Sequence, residues 1–299
     1  MLEALAMLLC QQMPVADVAE LLGEEDTHLW RMVCADVEKA QAERDWSGVT
    51  RILVDETSAR RGQRYVTNFV DAESRKLLLM VEGRKADIFK EFVKELYAHG
   101  GDPARIAWVG MDMSGAYAAG VAKYLPHARK AFDHFRLMAL AGVALDEVRR
   151  SLHARTPWLK GSRWSILGNE WTRSEAQQIH RRELREKYPK IGRALGLRES
   201  LQDALGMRDK ECLIMWCEWA QRCRLAPFVK LAATLKKHWE GILGFFESGI
   251  TNAAIESMNG KIQLAKRMAR GFRNFKFFRA ISYLKAANLS FALPSLKPA

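Results

Sequence analysis

Residues 51–82 read RILVDETSARRGQRYVTNFVDAESRKLLLMVE, and this stretch decides the fold. It contains three runs rich in apolar, β-branched and aromatic residues, RILVDE, RYVTNFVD and KLLLMVE. Polar turns separate the runs, one containing Gly62 and the other formed by residues 73–75. Short apolar runs bounded by turn residues predict a three-stranded meander.

The elements that follow alternate between helix and strand. Residues 86–99 have helical periodicity, and RIAWVGMD at 105–112 is typical of a buried strand. Residues 115–125 then predict a helix, and ARKAFDHF at 128–135 predicts another short strand. Three strands, helix, strand, helix, strand is the order of a ribonuclease-H-like fold. We therefore predict an α/β protein with a ribonuclease-H-like mixed sheet.

Helical sequence flanks this sheet on both sides. In residues 1–46, Pro14, Gly23 and a cap at Asp26 or Thr27 divide the chain into three helices with helix-turn-helix spacing. Residues 137–247 predict a large all-helical insertion, and the tail FALPSLKPA predicts a loose end. The predicted domains are a helix-turn-helix-like segment (1–46), a first part of the sheet core (47–136), the helical insertion (137–247) and a second part of the core with a basic tail (248–299).

The composition excludes several classes of protein. The chain has 299 residues, 48% of them hydrophobic, but no uninterrupted apolar run of about 18 residues that would span a membrane. Its opening segment carries Glu3 where a secretory signal needs basic residues. The five cysteines include no CxxC pair, which argues against a zinc ribbon or a dithiol redox motif. We expect a soluble, cytoplasmic protein with reduced cysteines and no membrane partner.

The charge is unevenly distributed along the chain. A net charge of +12 and a pI near 9.6 indicate a polyanionic partner, although composition does not separate nucleic acid from an anionic membrane surface. Residues 1–45 contain ten acidic side chains against three basic ones, whereas nine Lys or Arg and no acid follow Glu256. The basic surface therefore belongs to the later part of the chain.

Two aspartates close apolar runs that we predict to be neighbouring strands. Asp55 follows Ile52-Leu53-Val54, and Asp112 follows the run at 106–111. A lone aspartate at such a position is more often a turn residue. A buried carboxylate is costly unless it is compensated, and a divalent cation compensates it well. Because the first and fourth strands of a ribonuclease-H-like sheet are adjacent, we expect both carboxylates to lie within reach of one metal ion.

Glu256 is the candidate for a third carboxylate. It lies in TNAAIESMNGKIQLAKRMARGFRN, residues 251–274, where Thr251 or Asn252 can cap a helix. A polar stripe follows helical spacing in this segment: Glu256, Asn259, Gln263, Lys266 and Arg270. An apolar stripe lies beside it: Ile255, Met258, Ile262, Ala265 and Ala269. Taken alone, a glutamate at such a position is more often an ordinary solvated side chain.

Three carboxylates suit phosphoryl transfer by two metal ions about 3.5–4 Å apart. Mg²⁺, or Mn²⁺ in its place, prefers oxygen ligands and keeps several waters, which leaves room for a substrate phosphate. No protein nucleophile is needed. We therefore predict Asp55, Asp112 and Glu256 as both catalytic residues and ligands of two Mg²⁺ or Mn²⁺ ions.

Two groups of side chains are candidates for DNA binding. Basic residues after Glu256 are suited to a phosphate backbone: Lys261, Lys266, Arg267, Arg270, Arg273 and Lys276. Thr27, His28 and Arg31 would point outward near the start of the third N-terminal helix, where recognition helices contact bases. A helical hairpin that only packs or dimerises explains this acidic N-terminal segment equally well.

The sequence resembles the DDE insertion-sequence transposases of the ISL-three group. The resemblance is carried by VDETSARRGQRYVTNFVD, VEGRKAD, GMDMSGAYAAGVAKYLPHARKAFDHF, LDEVRR and TNAAIESMNGKIQLAKRMARGFRN, and covers roughly residues 51–150 and 225–285. It implies that Asp55, Asp112 and Glu256 are the catalytic triad and that residues 137–247 are an insertion. It also implies metal-dependent cleavage at element ends, joining of the 3′-hydroxyl to target DNA, and a bacterial, nucleoid-associated protein that forms a homodimer or larger assembly on DNA.

The sequence departs from this family in two places. Members carry a cysteine-rich zinc-binding segment before the helix-turn-helix region, and no such cysteines precede the helices here, so we expect an N-terminally short copy. In FDHFRL the family has a histidine where this chain has Arg136, although Asp133 is kept and a histidine stands at His134.

Three alternatives to an active transposase remain open on the sequence alone. One is a truncated, non-catalytic DNA-binding protein or repressor derived from a transposase. Another is a structure-selective nuclease on the same fold. A third treats the tryptophan-rich helices as a protein-interaction module, although large aromatic residues at helical spacing are usually core. The tryptophans concerned are Trp158, Trp164, Trp171, Trp216, Trp219 and Trp239.

Overall fold

The computed structural model describes residues 2–60, 64–153, 156, 159–168 and 173–291. Gly62, Trp158, Trp171 and the tail after Phe291 lie outside these residues. The chain divides into two compact units. Unit 1 comprises Met1–Lys130 with Ile250–Ala299, and unit 2 comprises Ala131–Gly249.

A five-stranded mixed sheet carries the candidate catalytic residues. Its strands are β1 (Arg51–Arg60), β2 (Arg64–Asp71), β3 (Leu77–Glu82), β4 (Trp108–Met111) and β5 (Arg129–Phe132). Their spatial order is β3-β2-β1-β4-β5. β1 and β3 both pair antiparallel with β2, and β1 pairs parallel with β4. This arrangement confirms the predicted ribonuclease-H-like mixed sheet.

Fourteen helices lie among the described residues. Those of unit 1 are α1 (Leu2–Cys10), α2 (Val15–Leu22), α3 (Asp26–Ala42), α4 (Ile88–Ala98), α5 (Gly115–Tyr124), α13 (Ala253–Met268) and α14 (Phe275–Ala286). Those of unit 2 are α6 (His134–His153), α7 (Arg163–Leu167), α8 (Glu175–Lys187), α9 (Pro189–Met207), α10 (Lys210–Arg222), α11 (Ala226–Lys237) and α12 (Trp239–Ser248). None of them combines the length and hydropathy that a membrane span needs.

Helices cover both faces of the sheet, which explains why β2 is buried continuously from Val66 to Asp71. On one face, Phe69 stacks on Phe92 of α4 at 4.6 Å between ring centroids, and Thr67 contacts the hydroxyl of Tyr117 from α5. Side chains alternate between faces along a strand, so Asn68 points to the opposite side. There it contacts α13 through Asn259.

The N-terminal helices pack on α14 within unit 1. The ring of Trp30 from α3 stacks on Phe277 at 4.2 Å and 5° between planes. The Lys285 ammonium donates a hydrogen bond to the Gln11 carbonyl at 2.6 Å. Gly23, with φ of 69°, ends α2 in the left-handed conformation, as expected for a helix C-terminus.

Two predicted boundaries are wrong. Asp26 and Thr27 do not cap α3, because the N-cap is Glu25 and the helix begins at Asp26. The negative charge of Asp26 in the first turn interacts favourably with the helix dipole. The predicted strand at 128–135 ends at Phe132, since α6 starts at His134. β2 lies at its predicted position, β3 and β4 lie within three residues of theirs, and β1 continues four residues beyond its predicted end.

Unit 2 is built from helices packed on buried aliphatic and aromatic residues. Trp216 is 2% exposed, and its indole N–H donates to the Leu197 carbonyl at 2.7 Å. Trp164, by contrast, is 64% exposed. The tryptophans of this region therefore include both a core residue and a surface residue.

Candidate active site

Asp55 and Asp112 lie side by side on neighbouring strands, Asp55 within β1 and Asp112 directly after the end of β4. The parallel pairing of β1 with β4 runs from Arg51 opposite Trp108 to Val54 opposite Met111. One further residue along this register brings Asp55 beside Asp112. Asp55 is 9% exposed and Asp112 is half-buried. The predicted adjacency of the two strands is confirmed, but Asp55 does not end its strand, because β1 continues to Arg60.

Gly110 allows the segment before α13 to lie close to β4. A Cβ atom at Gly110 would fall 2.6 Å from Cδ2 of Leu53 and 2.7 Å from Cγ2 of Ile250, both too close for carbon atoms. Since side chains alternate along a strand, Gly110 and Leu53 share a face with Asp112 and Asp55. The chain thus enters α13 over the same face of the sheet that carries the two aspartates.

The helix α13 carries Glu256 in its first turn. It packs through the apolar stripe, of which Ile255, Met258, Ile262 and Ala265 are buried. Asn252 occupies the N-cap position, although its side chain makes no capping hydrogen bond. Glu256 itself is exposed.

The polar stripe of α13 is hydrogen-bonded along β1. Nδ2 of Asn259 donates to Oδ2 of Asp55 at 2.7 Å, and one turn later Nε2 of Gln263 donates to Oγ1 of Thr57 at 2.7 Å. Lys266 donates to the Ser58 carbonyl at 2.6 Å. The helix therefore runs along the strand in the same direction. Glu256 precedes Asn259 by three residues and lies on the same side of the helix.

Arg270 does not belong to this stripe. The helix ends at Met268, and Arg270 follows in the left-handed conformation with φ of 53°, next to Gly271 with φ of 98°. The Gly271 N–H donates back to the Lys266 carbonyl at 2.8 Å, which closes the end of the helix. The predicted extension of the stripe to Arg270 is wrong, because this glycine-containing turn ends the helix first.

Asn68 and Asn259 belong to the site but were not assigned a role from the sequence. Asn68 lies opposite Asp55 in the β1–β2 register and is fully buried. Its Nδ2 donates to Oδ1 of Asn259 at 2.7 Å. The two amides and the Asp55 carboxylate thus form one chain of hydrogen bonds. An asparagine in the apolar run RYVTNFVD was the available sequence signal.

The three acids do not form a closed metal site. Among the described residues, no group of three His, Cys, Asp or Glu side chains lies close enough to hold a metal ion. The chemistry of the aspartate pair nevertheless fits Mg²⁺ or Mn²⁺, since two carboxylates at matching positions of neighbouring strands provide hard oxygen ligands. Glu256 remains a predicted third ligand, exposed and one turn from the contact between Asn259 and Asp55.

Electrostatic interactions link the aspartates to the opposite face of the sheet. Burial raises the pKa of the Tyr117 hydroxyl well above its usual value, and the negative charges of Glu56, Asp55 and Asp112 raise it further. Burial also lowers the pKa of Lys266. The lowered pKa of Lys266 indicates that the contact of α13 with β1 is partly shielded from water at this residue.

The predicted DNA-binding residues of the later chain differ in their surroundings. Lys266 is held by Ser58, and Lys276 forms an ion pair with Glu38 at 3.0 Å. The other four side chains are exposed: Lys261, Arg267, Arg270 and Arg273. The last three lie near the end of the β1–β2 hairpin, because Nε of Arg60 donates to the Phe272 carbonyl at 3.0 Å.

The predicted contacts on α3 are surrounded by acids. Nδ1 of His28 lies 3.1 Å from the Glu24 carboxylate, and the Thr27 hydroxyl lies 3.4 Å from that of Glu25. Arg31 is exposed one turn further along. Carboxylates at the start of α3 oppose the approach of a phosphate backbone, so a DNA-binding role of this helix stays a prediction.

Comparison with known proteins identifies the family. A family model described as a transposase, of the DDE type and the ISL3 (ISL-three) group, matches residues 52–282. The transposases of insertion sequence IS1557 from two Mycobacterium tuberculosis strains are 31% identical over 301 aligned residues, covering 89% of this chain and 67% of theirs. The IS1001 transposase of Bordetella parapertussis is 27% identical over 248 aligned residues, which cover 79% of this chain and 61% of that transposase. The chain spans about two thirds of the length of these relatives. It belongs to the ISL3 family of DDE transposases.

Proposed function

We propose that this chain catalyses metal-dependent cleavage and strand transfer of DNA at the ends of an insertion sequence. The observation that carries the proposal is the in-register placement of Asp55 and Asp112 on adjacent parallel strands, with the helix of Glu256 hydrogen-bonded to Asp55. Membership of a transposase family supports the same reaction.

Asp55 and Asp112 would hold the divalent metal ions, and Glu256 would join them as the third carboxylate. When bound, Mg²⁺ or Mn²⁺ would activate the attacking oxygen and stabilise the leaving one. The exposure of Glu256 leaves its side chain room to reorient toward the aspartates. We expect metal and DNA to favour that reorientation.

The basic residues around the α13–α14 turn would bind the DNA backbone. We call Arg64, Arg267, Arg270 and Arg273 the hairpin–turn surface; all four are exposed. Two hydrogen bonds hold the hairpin to the helix, from Lys266 to Ser58 and from Arg60 to Phe272. No acidic residue follows Glu256 in the sequence, so phosphates meet little repulsion from the α13–α14 side. Two copies of the chain would assemble to bring two DNA ends together.

The test is a cleavage and strand-transfer assay on DNA carrying the element ends, with Mg²⁺ or Mn²⁺. Asp55→Asn, Asp112→Asn and Glu256→Gln should each abolish activity, while Glu73→Gln, an exposed carboxylate on the β2–β3 turn, should retain it. If metal-dependent activity survives any one of the first three substitutions, the substituted residue is not a catalytic residue. Cutting of branched DNA without joining would instead indicate a structure-selective nuclease.

A non-catalytic DNA-binding protein or repressor is the second candidate. It is favoured by the absence of a closed three-residue metal group among the described residues. This function predicts DNA binding that is unaffected by millimolar Mg²⁺ or Mn²⁺ and by Asp55→Asn. Calorimetric titration of the chain with Mn²⁺ alone separates the two candidates, because only the first requires a metal site.

A further inference from the structure

We propose that Asn259 positions the Asp55 carboxylate for metal binding and that Asn68 fixes Asn259 in the required orientation. The inference rests on the proposed function, because it assigns the support of a predicted metal ligand. Its basis is the chain of hydrogen bonds from Asn68 to Asn259 and from Asn259 to Asp55, each 2.7 Å long.

The direction of this chain follows from the charge of Asp55. An ionised carboxylate only accepts hydrogen bonds, so Asn259 must present its NH₂ group to Asp55. The carbonyl oxygen of Asn259 then faces Asn68, which must present its own NH₂ group in turn. One buried charge thus determines the orientation of two side-chain amides.

The buried acceptor of Asn68 indicates that packing alone does not explain this residue. Asn68 is fully buried, and its Oδ1 atom has no hydrogen-bond partner among the described residues. An unsatisfied buried acceptor destabilises a fold, and an apolar side chain of similar size would avoid that cost. A requirement for the NH₂ group toward Asn259 explains why an asparagine stands here.

The hydrogen bond from Asn259 restricts rotation of the Asp55 carboxylate without preventing metal binding. A carboxylate oxygen has two lone pairs, so accepting one N–H from Asn259 leaves that oxygen able to bind a cation. Carboxylates that bind metals are commonly held by a further hydrogen bond in this way, and losing that partner lowers metal affinity by about 10–100-fold. Asn259 is therefore a positioning residue, acting through Asp55.

Gln263 provides a matched comparison on the same helix. It also donates from α13 to β1, through Thr57 and the Ser58 carbonyl at 2.7 and 2.8 Å, but it does not contact Asp55. If the hydrogen bonds of α13 served only to attach the helix, losing either amide would have the same consequence. If Asn259 positions the metal ligand, only its loss changes metal affinity.

The experiment measures Mn²⁺ binding to the full chain without DNA by calorimetry, together with urea unfolding. We expect Asn259→Ala to weaken Mn²⁺ binding by about 10–100-fold and Gln263→Ala to change it by less than about threefold. Asn68→Leu should weaken binding with little change in stability, because it removes the buried unsatisfied acceptor, and Oδ1 of the part-buried Asn259, which loses its donor, can bind water instead. A loss of Mn²⁺ affinity without a loss of stability is not expected of a purely structural residue.

Three outcomes are decisive. Native Mn²⁺ affinity in Asn259→Ala, in a chain whose binding is lost in Asp55→Asn, overturns the positioning role and leaves the proposed function intact. Equal loss of affinity in Asn259→Ala and Gln263→Ala also overturns it, since helix attachment would then suffice. Failure of the wild-type chain to bind Mn²⁺ overturns the metal site and, with it, this inference.

Discussion

Helices α3 and α13 both carry polar residues that the sequence assigned to DNA, yet their polar faces lie in opposite surroundings. On α13, Asn259, Gln263 and Lys266 hydrogen-bond to β1, and the chain beyond contains no acid. On α3, Thr27 and His28 lie beside glutamates at the start of their own helix. Polar residues at helical spacing therefore do not suffice to predict a DNA contact, because the charges around them differ between the two helices.

The largest expected effect comes from removing the acid that α13 holds in place. Asp55→Asn keeps the size of the side chain but removes the negative charge that binds a cation. Loss of the several kcal/mol that metal ions contribute to phosphoryl transfer should slow cleavage by about 10²–10³-fold or more. Single-turnover cleavage rates at saturating Mg²⁺ measure this effect. Asp17→Asn on α2, an exposed acid far from β1 in the sequence, should cleave at the native rate.

Trp30 is the residue through which α3 contributes to the stability of unit 1. Its ring stacks on Phe277 and meets Phe272 edge-on at 6.2 Å, so α3 packs on α14 through aromatic contacts. Because the ring is only half-buried, Trp30→Ala should destabilise unit 1 by about 2–3 kcal/mol, less than for a fully buried tryptophan. Urea unfolding measures the change. Trp164→Ala, at a 64% exposed ring, should cost less than about 0.5 kcal/mol, and an equal cost would contradict this reasoning.

The adjacency of the strands that carry the two aspartates could be predicted from the sequence, because it depends on the order of the elements, although β1 runs four residues beyond its predicted end. Apolar runs followed by Asp55 and Asp112, together with the order of the elements, were enough to place the two acids next to each other. The roles of Asn68 and Asn259 were not predicted, because they depend on strand register and on how α13 lies across β1. Helical spacing also predicted a polar stripe that reaches Arg270, but the turn at Gly271 ends the helix before that residue.

The hairpin–turn surface should account for more DNA affinity than α3. Replacing two of its cations, with Arg267→Gln and Arg270→Asn, should reduce the slope of log affinity against log salt by about 2 and weaken binding about tenfold. Asparagine is chosen at position 270 because it tolerates the left-handed backbone there. Fluorescence anisotropy with duplex DNA at several salt concentrations gives both quantities.

A control for net charge uses two exposed cations of unit 2. Arg182→Gln with Lys190→Gln removes the same charge from helices α8 and α9. If DNA contacts lie at the hairpin–turn surface, this pair should leave the salt slope within about one unit of the native value. An equal reduction in slope would mean that overall charge, rather than position, determines binding.

The smallest effect is expected at the start of α3. Replacing Thr27, His28 and Arg31 together by alanine removes every side chain assigned to DNA on this helix. Because Glu24 and Glu25 already oppose phosphates there, we expect the affinity for element-end DNA to change by less than about twofold and the salt slope by less than about one. The same anisotropy titration, run on element-end and unrelated duplexes, measures both. A loss confined to element-end DNA would establish α3 as a recognition helix, since base contacts, unlike phosphate contacts, discriminate between sequences.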